Sequence, residues 1–492
     1  MKRLRFCFWL SALILITGCS GGEKPPVNAI QLATTPPITP DYIDLTIPLN
    51  IAPLNFSLKD EVDKCYAQLK DADGQILEAF GKQQIRWNLK QWQVMLAANA
   101  GKTLQVKVAT CKKNTWQVYK TYSLQVSADS IDAGLVYRLI EPGYEKWHIV
   151  GIYQRNLENF KEKPILRNDM IGYGCMNCHS FCMGDPSQLM FHVRAANGGT
   201  FIAQYGKIKK VSTKTKATIG KMAYPYWHPS GNYIVASVNK IENIFHSIKG
   251  KKMEVFDSAS DVVVYDLQKN TILSKASFIT DDAFETFPSF SPDGNWLYFC
   301  SAPAMEMPKE YDKIRYNLCR VAFDAIKGEI RMPVDTLARA DSMSYVFPRV
   351  SPNGHFMLYT QTAYGQFPIW HKDADACMLD LRSGKQIDLS VLNSDDTDSY
   401  HSWSQNSKWI VLSSRRKNGL YTLTYFSHIA SDGRPSKPFV MPQEDPELYD
   451  YLMYSYNLPE LVKGEVKISP YDLEHEAKTQ TAKPVLWDGK EN

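Results

Sequence analysis

The second half of the chain contains an internal repeat, and this repeat limits the fold more than any other sequence feature. Four segments align without gaps, and each holds an aromatic-Pro or aromatic-His pair, a turn and an alternating strand: AYPYWHPSGNYIVASV from Ala223, TFPSFSPDGNWLYFCS from Thr286, VFPRVSPNGHFMLYTQ from Val346 and SYHSWSQNSKWIVLSS from Ser399. The turns at Gly294 and Gly354 follow Asp and Asn, which suits a tight hairpin because such hairpins need positive φ. Each repeat therefore predicts a strand, a tight turn and a second strand.

A second strand pair follows the repeated segment, as in VVVYDLQKNTIL, LCRVAFDAIKGEI and ACMLDLRSGKQIDL. Four strands in an interval of roughly 60 residues predict one propeller blade with long loops. A weaker strand pair, GGTFIAQYGKIKKV, precedes the four clear copies. The 27 Tyr and 11 Trp also favour strands over helices. We therefore expect an all-β chain whose residues 190–440 form a β-propeller.

The first residues read as an export signal. Lys2, Arg3 and Arg5 precede an apolar run that ends in LITGC, which is similar to a bacterial lipoprotein cleavage box. Residues 1–19 are then the signal peptide with Cys19 as the lipidated residue, and the alternatives are an uncleaved anchor or a plain signal peptide. Residues 20–41 are rich in Pro, Gly and Thr and predict a flexible tether. The expected location is the bacterial cell envelope, at the outer membrane or facing the periplasm, with the membrane as a partner through the lipid.

The remaining sequence divides by pattern. Residues 42–130 show short alternating strands and predict an immunoglobulin-like sandwich, in which Cys65 and Cys111 could form a disulfide. Residues 131–189 have helix-like apolar spacing up to Arg167 and predict a connector between the two domains. Residues 441–492 also show helical spacing and predict a helical or closing segment.

The motif that carries chemistry is C-x-x-C-H, formed by Cys175, Cys178 and His179 within IGYGCMNCHSFCM. Two thiols three residues apart reach the two vinyl groups of a haem, and the adjacent imidazole binds its iron. Export supports this interpretation, since haem c is attached outside the cytoplasm. Two other interpretations are a disulfide or redox pair, which lacks a βαβ context, and a zinc site with Cys182, whose four ligands are cramped.

The second axial ligand of such a haem iron is open. Met183, Met190 and His192 follow His179 within 13 residues, and His192 is favoured, although an ordinary sheet histidine explains it equally well. His228 and His401 both lie within copies of the repeat, so blade architecture accounts for them better than iron binding does.

Several function classes are excluded by composition and motif. The net charge is only +4, with 56 basic and 52 acidic residues, which gives no electrostatic reason to expect a nucleic-acid partner. The chain also contains no Gly-x-Ser-x-Gly elbow, Walker loop, dinucleotide fingerprint or His-Glu-x-x-His motif. Catalysis other than redox chemistry is therefore not predicted, and whether the chain is an enzyme stays open.

The repeat resembles the TolB-type, WD40-like propeller repeat. Together with GCMNCHSFC and EPGYE at Glu141, the arrangement is similar to TolB-like propeller lipoproteins of Bacteroidetes-type bacteria that carry one haem-binding motif. The resemblance implies six blades, one covalent haem c, and an envelope protein or redox partner. We expect an electron-transfer or redox-associated protein; the alternatives are a haem-free envelope scaffold whose propeller loops bind a protein or glycan, and a haem enzyme with an open coordination position.

Overall fold

The computed structural model describes residues 22–141, 149–194, 197–248, 251–273 and 279–489. The signal peptide with Cys19 and most of the EPGYE segment lie outside the described residues. No helix within the described ranges is both long enough and apolar enough to span a bilayer.

The first folded unit is built from β1 to β10 and one helix. Their bounds are β1 Ile30–Gln31, β2 Ile38–Thr39, β3 Leu45–Pro48, β4 Phe56–Leu58, β5 Lys64–Lys70, β6 Ile76–Gly81, β7 Gln84–Ile85, α1 Leu89–Ala98, β8 Thr103–Lys112, β9 Thr115–Val118 and β10 Tyr122–Ser127. One sheet has the order β1-β9-β8-β10-β3 with β5 and β6 added through β8, and a small sheet has the order β2-β4-β7. Helix α1 begins after Asn88, whose side chain accepts a hydrogen bond from the Gln91 amide, and it buries Trp92 and Leu96.

The disulfide considered for this unit does not form. Cys65 and Cys111 are both free thiols, and they face different clusters of buried side chains on the two sides of the sheet. In the pairing of β5 with β8, Cys65 lies opposite Thr110 and Cys111 lies opposite Lys64. Successive side chains of a strand point to opposite faces of the sheet, so the two cysteines lie on different faces.

Antiparallel sheets account for most of the remaining chain. The bounds are β11 Gly134–Ile140, β12 Val150–Asn156, β13 Glu162–Arg167, β14 Met176–Phe181, β15 Gln188–Val193, β16 Gly199–Gln204, β17 Lys207–Ser212, β18 Met222–Trp227, β19 Tyr233–Ile248, β20 Lys251–Asp266, β21 Thr271–Ile272, β22 Ala283–Phe290, β23 Trp296–Pro303, β24 Asn317–Asp324, β25 Glu329–Ala338, β26 Ser344–Val350, β27 Phe356–Thr362, β28 Asp375–Asp380, β29 Lys385–Ile387, β30 Asp398–Trp403, β31 Trp409–Ser414, β32 Leu423–His428, β33 Phe439–Val440, α2 Leu448–Tyr451, β34 Ser455–Val462, α3 Pro470–Thr479, β35 Lys483–Pro484 and β36 Leu486–Trp487.

These strands form six sheets of four antiparallel strands within the described ranges, two of them extended at the outer edge by β35 and β36. Five sheets are continuous in sequence, starting at β14, β18, β22, β26 and β30. The sixth has the order β34-β11-β12-β13, so a strand near the C-terminus fills the first position beside strands from the middle of the chain. The first strands contact one another in a closed circle, β14 to β18, β22, β26, β30, β34 and back to β14. This arrangement is a β-propeller, as the repeat predicts.

The helix-like spacing upstream of Arg167 does not give a helical connector: residues 134–140, 150–156 and 162–167 form strands β11 to β13, and β14 already begins the next sheet. Near the C-terminus, the chain forms the four-residue helix α2, then β34, which completes the sixth sheet, and then the ten-residue helix α3. Strand β11 is buried over its first four residues, so its apolar run has no alternation that would distinguish it from a helix.

Each first strand contains the same local distortion. One residue has a positive φ of 47° to 57°, and the pairing with the second strand shifts at that point as in a β-bulge: Cys178, Tyr224, Phe287, Phe347, Tyr400 and Leu458. Non-glycine residues rarely adopt this conformation, so six equivalent instances identify it as part of the repeat. The segments NCHSF (177–181) and NLPEL (457–461) are thus two further copies, in which Cys and Leu replace the aromatic residue.

The first folded unit packs against the propeller through a continuous apolar core. Hydrogen bonds support this contact: Trp409 Nε1 donates to the Asp129 carbonyl at 3.1 Å, and the Tyr42 hydroxyl donates to the Val440 carbonyl at 3.3 Å. The two units are therefore joined across the sheet formed by β30 to β33.

Candidate functional site

The channel along the propeller axis is divided into two chambers by aromatic side chains. Tyr224 lies 4.3 Å from Phe287 between ring centroids, Phe287 lies 3.9 Å from Phe347, and Phe347 lies 4.7 Å from Tyr400. All four occupy the positive-φ position of their strands. Cys178 and Leu458 complete the set with smaller side chains, so the motif cysteine lies at the partition between the chambers.

The upper chamber has a volume of about 170 Å³. Cys178 lines it together with Arg138 and Arg194, and the long hairpin of β19 and β20 contributes Ile241 and Val255. The hairpin therefore covers this end of the channel.

A buried acid holds the hairpin in this position. Glu254, on β20, accepts a hydrogen bond from the Tyr364 hydroxyl at 2.8 Å and lies 2.8 Å from His371 Nε2. The aromatic ring of Phe256 also stacks on Tyr311 of the next sheet. These contacts join the hairpin to loops of the next two sheets in the ring, so opening the upper chamber requires breaking them.

The lower chamber has a volume of about 100 Å³ and a different charge pattern. Its walls include Arg349, Glu460 and Tyr226, which occupy the position two residues after the positive-φ residue in their strands. The Arg349 guanidinium lies 4.8 Å from the centroid of the Tyr226 ring. Burial raises the pKa of Glu460 to about 8, while the Phe181 amide and Arg349 oppose that rise.

Neither motif cysteine is in a disulfide: Cys175 is half-buried and Cys178 is buried, and both are free thiols. Burial raises the pKa of the Cys178 thiol, and the Tyr224 backbone and the nearby Arg194 and Arg138 oppose that rise. Cys178 is thus a protonated thiol beside two guanidinium groups.

His179 follows directly and is buried, and neither of its ring nitrogens has a hydrogen-bond partner of good geometry among the described residues. Burial lowers the pKa of His179 to about 3, with a further contribution from Arg138, and the backbone of Leu458 and Val136 opposes the shift. The ring is therefore neutral, which is the form that binds a metal.

His401 occupies the equivalent position in another sheet and explains part of the geometry at His179. His401 Nε2 lies 2.9 Å from the Phe347 carbonyl and 3.1 Å from the Leu358 carbonyl, both in the preceding sheet. The corresponding residues of the sheet that precedes His179 are Leu458 and Val136. His401 joins two sheets through these hydrogen bonds. His179 occupies the equivalent position but makes no hydrogen bond of good geometry to the preceding sheet.

The three candidates for a second axial ligand lie in different environments. His192 is buried, and its Nδ1 lies 2.8 Å from the Thr200 hydroxyl while its Nε2 has no partner among the described residues. Burial lowers the pKa of His192 to about 3, assisted by Arg194 and Lys221. Met190 is fully buried in a core with Trp227, and Met183 lines the lower chamber.

The zinc alternative is not supported by the described residues, which contain no group of three or more His, Cys, Asp or Glu placed to hold a metal ion. Cys182 instead lies in a core between two sheets, with its sulfur 3.6 Å from the His228 carbonyl. His228 Nε2 lies 3.1 Å from the Gly294 carbonyl of the next sheet, so this histidine has the architectural role expected from its repeat position.

A covalently attached haem needs two free thiols, an imidazole with an available nitrogen and space for a porphyrin. The thiols of Cys175 and Cys178 and the imidazole of His179, whose nitrogens make no hydrogen bond of good geometry, meet the first two needs. The chambers of about 170 and 100 Å³ lie below the roughly 300 Å³ at which pockets for drug-sized ligands begin. The residue types of the donor set therefore fit haem c, but Cys178 lines the upper chamber and His179 the lower one, and the ring would not lie within either chamber as it stands.

Sequence reasoning did not identify Arg138, Arg194, Arg349 or Glu460 as residues of the channel. Arg349 could have been found from the repeat, because the equivalent positions in the other copies that the sequence shows hold Ser or Tyr, whereas Glu460 lies in a copy that the sequence pattern does not reveal. Arg138 could not, since its strand was expected to be helical and its sheet forms only with a strand more than 300 residues away.

Comparison with known proteins gives no family assignment: no family model matches the chain, and no curated protein matches it. Among solved structures, a puromycin-hydrolysing peptidase of Mycobacterium tuberculosis is similar over 70% of this chain and 52% of its own, with 11% identity and a TM-score of 0.35. The periplasmic gluconolactonase of Pseudomonas aeruginosa covers 63% of this chain and 96% of its own, with 12% identity and a TM-score of 0.33. An apocarotenoid oxygenase of Synechocystis covers 84% and 95%, with 10% identity and a TM-score of 0.36. The chain spans about half the length of the puromycin-hydrolysing enzymes it matches.

Proposed function

We propose that this protein is an exported propeller, anchored to the cell envelope by a lipid on Cys19, that carries one covalently attached haem c on Cys175 and Cys178. In this proposal the six sheets are the blades of a TolB-type propeller, and the N-terminal unit is an immunoglobulin-like sandwich. The haem serves electron transfer or a redox-associated envelope complex. The observation that carries the proposal is the combination of two free thiols with a buried, neutral His179 whose ring nitrogens make no hydrogen bond of good geometry.

In this proposal each residue of the motif has a separate role in holding the haem. Cys175 and Cys178 would hold the haem through thioether bonds, and His179 would donate a ring nitrogen to the iron. His192 is the preferred second ligand, because the contact of Nδ1 with Thr200 would leave Nε2 free and fix the orientation of the ring. Met190 or Met183 would take that place otherwise. The haem supplies a one-electron redox couple when bound.

The test is the spectrum of protein made in a host that has the haem-attachment machinery. We expect a pyridine haemochrome spectrum and haem that stays on the chain after denaturation. Cys175→Ala should lose one thioether bond, which changes the position of the haemochrome band. Cys182→Ala is the matched control, since this buried cysteine lies outside the motif, and it should leave the band unchanged. The proposal is wrong if neither the spectrum nor covalent haem staining is found in the wild-type chain.

The lipid anchor has its own test. Export of the wild-type chain in the presence of labelled palmitate should give a labelled protein in the membrane fraction, and Cys19→Ser should abolish the label. A wild-type chain that is exported without label would show that the signal peptide is of the plain type.

A second candidate is a haem-free envelope scaffold whose propeller loops bind a protein or glycan. The observation that favours it is the coincidence of NCHSF with the propeller repeat, because His179 then has the same architectural place as His401. The small volumes of the two chambers point the same way. Mass spectrometry of the exported chain separates the two candidates, since haem adds a large covalent mass whereas a disulfide between Cys175 and Cys178 removes two hydrogens.

A further inference from the structure

Three buried polar atoms without hydrogen-bond partners belong to residues that line the upper chamber. They are Arg138 Nε, Asn177 Oδ1 and Asn457 Oδ1, and none has a partner among the described residues. Buried polar groups in native proteins are nearly always paired, and each unpaired one is costly. Three such groups around one cavity indicate that the cavity receives a polar ligand.

The charge of the chamber defines the ligand further. Arg138 and Arg194 both line it, and no Asp or Glu does among the residues that the structure describes. No ion pair joins either guanidinium group to an acid within the described part of the chain. Asp257, which interacts electrostatically with the lining residue Tyr224, is 1% exposed and accepts a hydrogen bond from Asn239 at 2.7 Å. Arg138 is half-buried and Arg194 is exposed, so the two guanidinium groups present positive charge at the chamber and remain open to an anion that enters it.

The lower chamber provides a contrast within the same channel. It contains one arginine, Arg349, with two aromatic rings over its guanidinium group, and its unpaired atoms are ring nitrogens of His179 and His401. The upper chamber has two arginines, and its unpaired atoms are one guanidinium nitrogen and two amide oxygens. The pair of guanidinium groups makes the upper chamber the better place for an anion.

We propose that the upper chamber binds the carboxylate of a small organic acid through Arg138 and Arg194, with Oδ1 of Asn177 and Asn457 accepting a hydrogen bond from a neighbouring hydroxyl group. Arginine binds carboxylates in planar, two-point geometry, which suits a chamber with two guanidinium groups. The volume of about 170 Å³ restricts the ligand to a few carbon atoms, or to one acid arm of a larger molecule that lies outside.

The same carboxylate chemistry has two sources, a free hydroxy acid or a propionate arm of an attached haem. The inference does not rest on the proposed function, because the haem-free chain presents the same residues. Malate is the probe, since it carries two carboxylates and a hydroxyl; succinate lacks the hydroxyl, and inorganic phosphate is a different anion of similar size.

The experiment measures malate binding by calorimetry to the mature chain made without haem attachment. We expect saturable 1:1 binding with a Kd below about 1 mM. Arg138→Gln and Arg194→Gln should each weaken binding at least about tenfold. Arg349→Gln is the matched control, because it removes the same group from the other chamber, and it should leave the affinity unchanged. Succinate should bind more weakly than malate, because it lacks a group for the asparagine amides.

Folding is followed in parallel by the thermal unfolding midpoint, and Asn457→Leu provides a second variant that keeps both charges and should also weaken malate binding. The inference is overturned if malate does not bind, if phosphate binds more tightly than malate, or if the three chamber variants bind like the wild type. The haem-loaded chain then identifies the source: loss of malate binding indicates that a propionate occupies the chamber, and retained binding indicates a free acid. Both of these results require that the chamber binds carboxylates.

Discussion

Glu460 in the lower chamber provides a quantitative test of the channel's electrostatics. Burial raises the pKa of this carboxyl to about 8, so the folded protein holds it neutral at pH values where the unfolded chain ionises it. From the ordinary value of 4.5 up to about pH 7, each pH unit costs about 1.4 kcal/mol of the free energy of unfolding, or about 3 kcal/mol in total. Because the side chain lines a channel and is only partly excluded from solvent, water screens it, and we take about half of that value.

Glu460→Gln should therefore stabilise the protein by about 1.5 kcal/mol at about pH 7. The glutamine has the same shape, and its oxygen can accept the hydrogen bond that the Phe181 amide donates to Glu460 at 2.9 Å. The sign follows from proton binding: the folded state retains a proton that the unfolded state loses, so the wild type becomes less stable as the pH rises from about 4.5 to about 8.

Urea unfolding followed by tryptophan fluorescence, across about pH 4 to 8, measures this difference. The advantage of the glutamine variant should be near zero at the acid end and grow towards the alkaline end. Glu329→Gln is the control, since Glu329 is exposed on an edge strand and should show no such growth. A stability difference for Glu460→Gln that does not change with pH would refute the reasoning.

Three further perturbations test the architecture. His401→Ala should lower the free energy of unfolding by about 1 kcal/mol more than His179→Ala in haem-free protein, because only His401 makes good hydrogen bonds to the preceding sheet; equal losses in urea unfolding would show that both rings are bonded. Glu254→Gln should weaken the contact with His371 and speed the reaction of Cys178 with a thiol reagent, and an unchanged rate would show that the hairpin does not control access. Ending the chain after residue 454 removes β34 and leaves β11 without its inner partner, so calorimetry should show loss of the cooperative transition; a truncated chain that unfolds like the wild type would contradict closure of the ring by β34.

The sequence identified the four copies of the repeat whose positive-φ residue is aromatic, such as Tyr224 and Phe347, because aromatic, Pro and turn residues recur there together. It did not identify the copies at Cys178 and Leu458, where the aromatic side chain is replaced and the turn signal is absent. The local bulge survives in both, since the backbone geometry is set by pairing with the second strand and by packing around the axis. A sequence pattern shows only recurring side chains, whereas the feature that all six copies share is the conformation of the backbone.

The same limit applies to the chambers. Arg138 lies on β11, and Arg194 directly follows β15, which belongs to a different sheet. The two arginines are more than fifty residues apart in the sequence. Their proximity to Cys178 depends on closure of the ring by β34, a pairing across more than 300 residues. No local pattern encodes that contact, so the haem-binding motif could be read from the sequence and its positively charged surroundings could not.

Because the motif lies within a copy of the repeat, its histidine and its cysteine differ as indications of a bound cofactor. A histidine at the place of His179 needs no cofactor to explain it, because His401 fills the same place and joins two sheets. Cys178 is different: it alone puts a thiol where four other strands put an aromatic ring, which removes apolar packing from the partition between the chambers. Replacing a large core side chain by a small one is costly unless something fills the space that is left. Of the motif residues, Cys178, with half-buried Cys175 three residues before it, therefore gives the strongest indication of a bound ligand. Arg138 and Arg194 beside Cys178 favour a ligand with a negative charge.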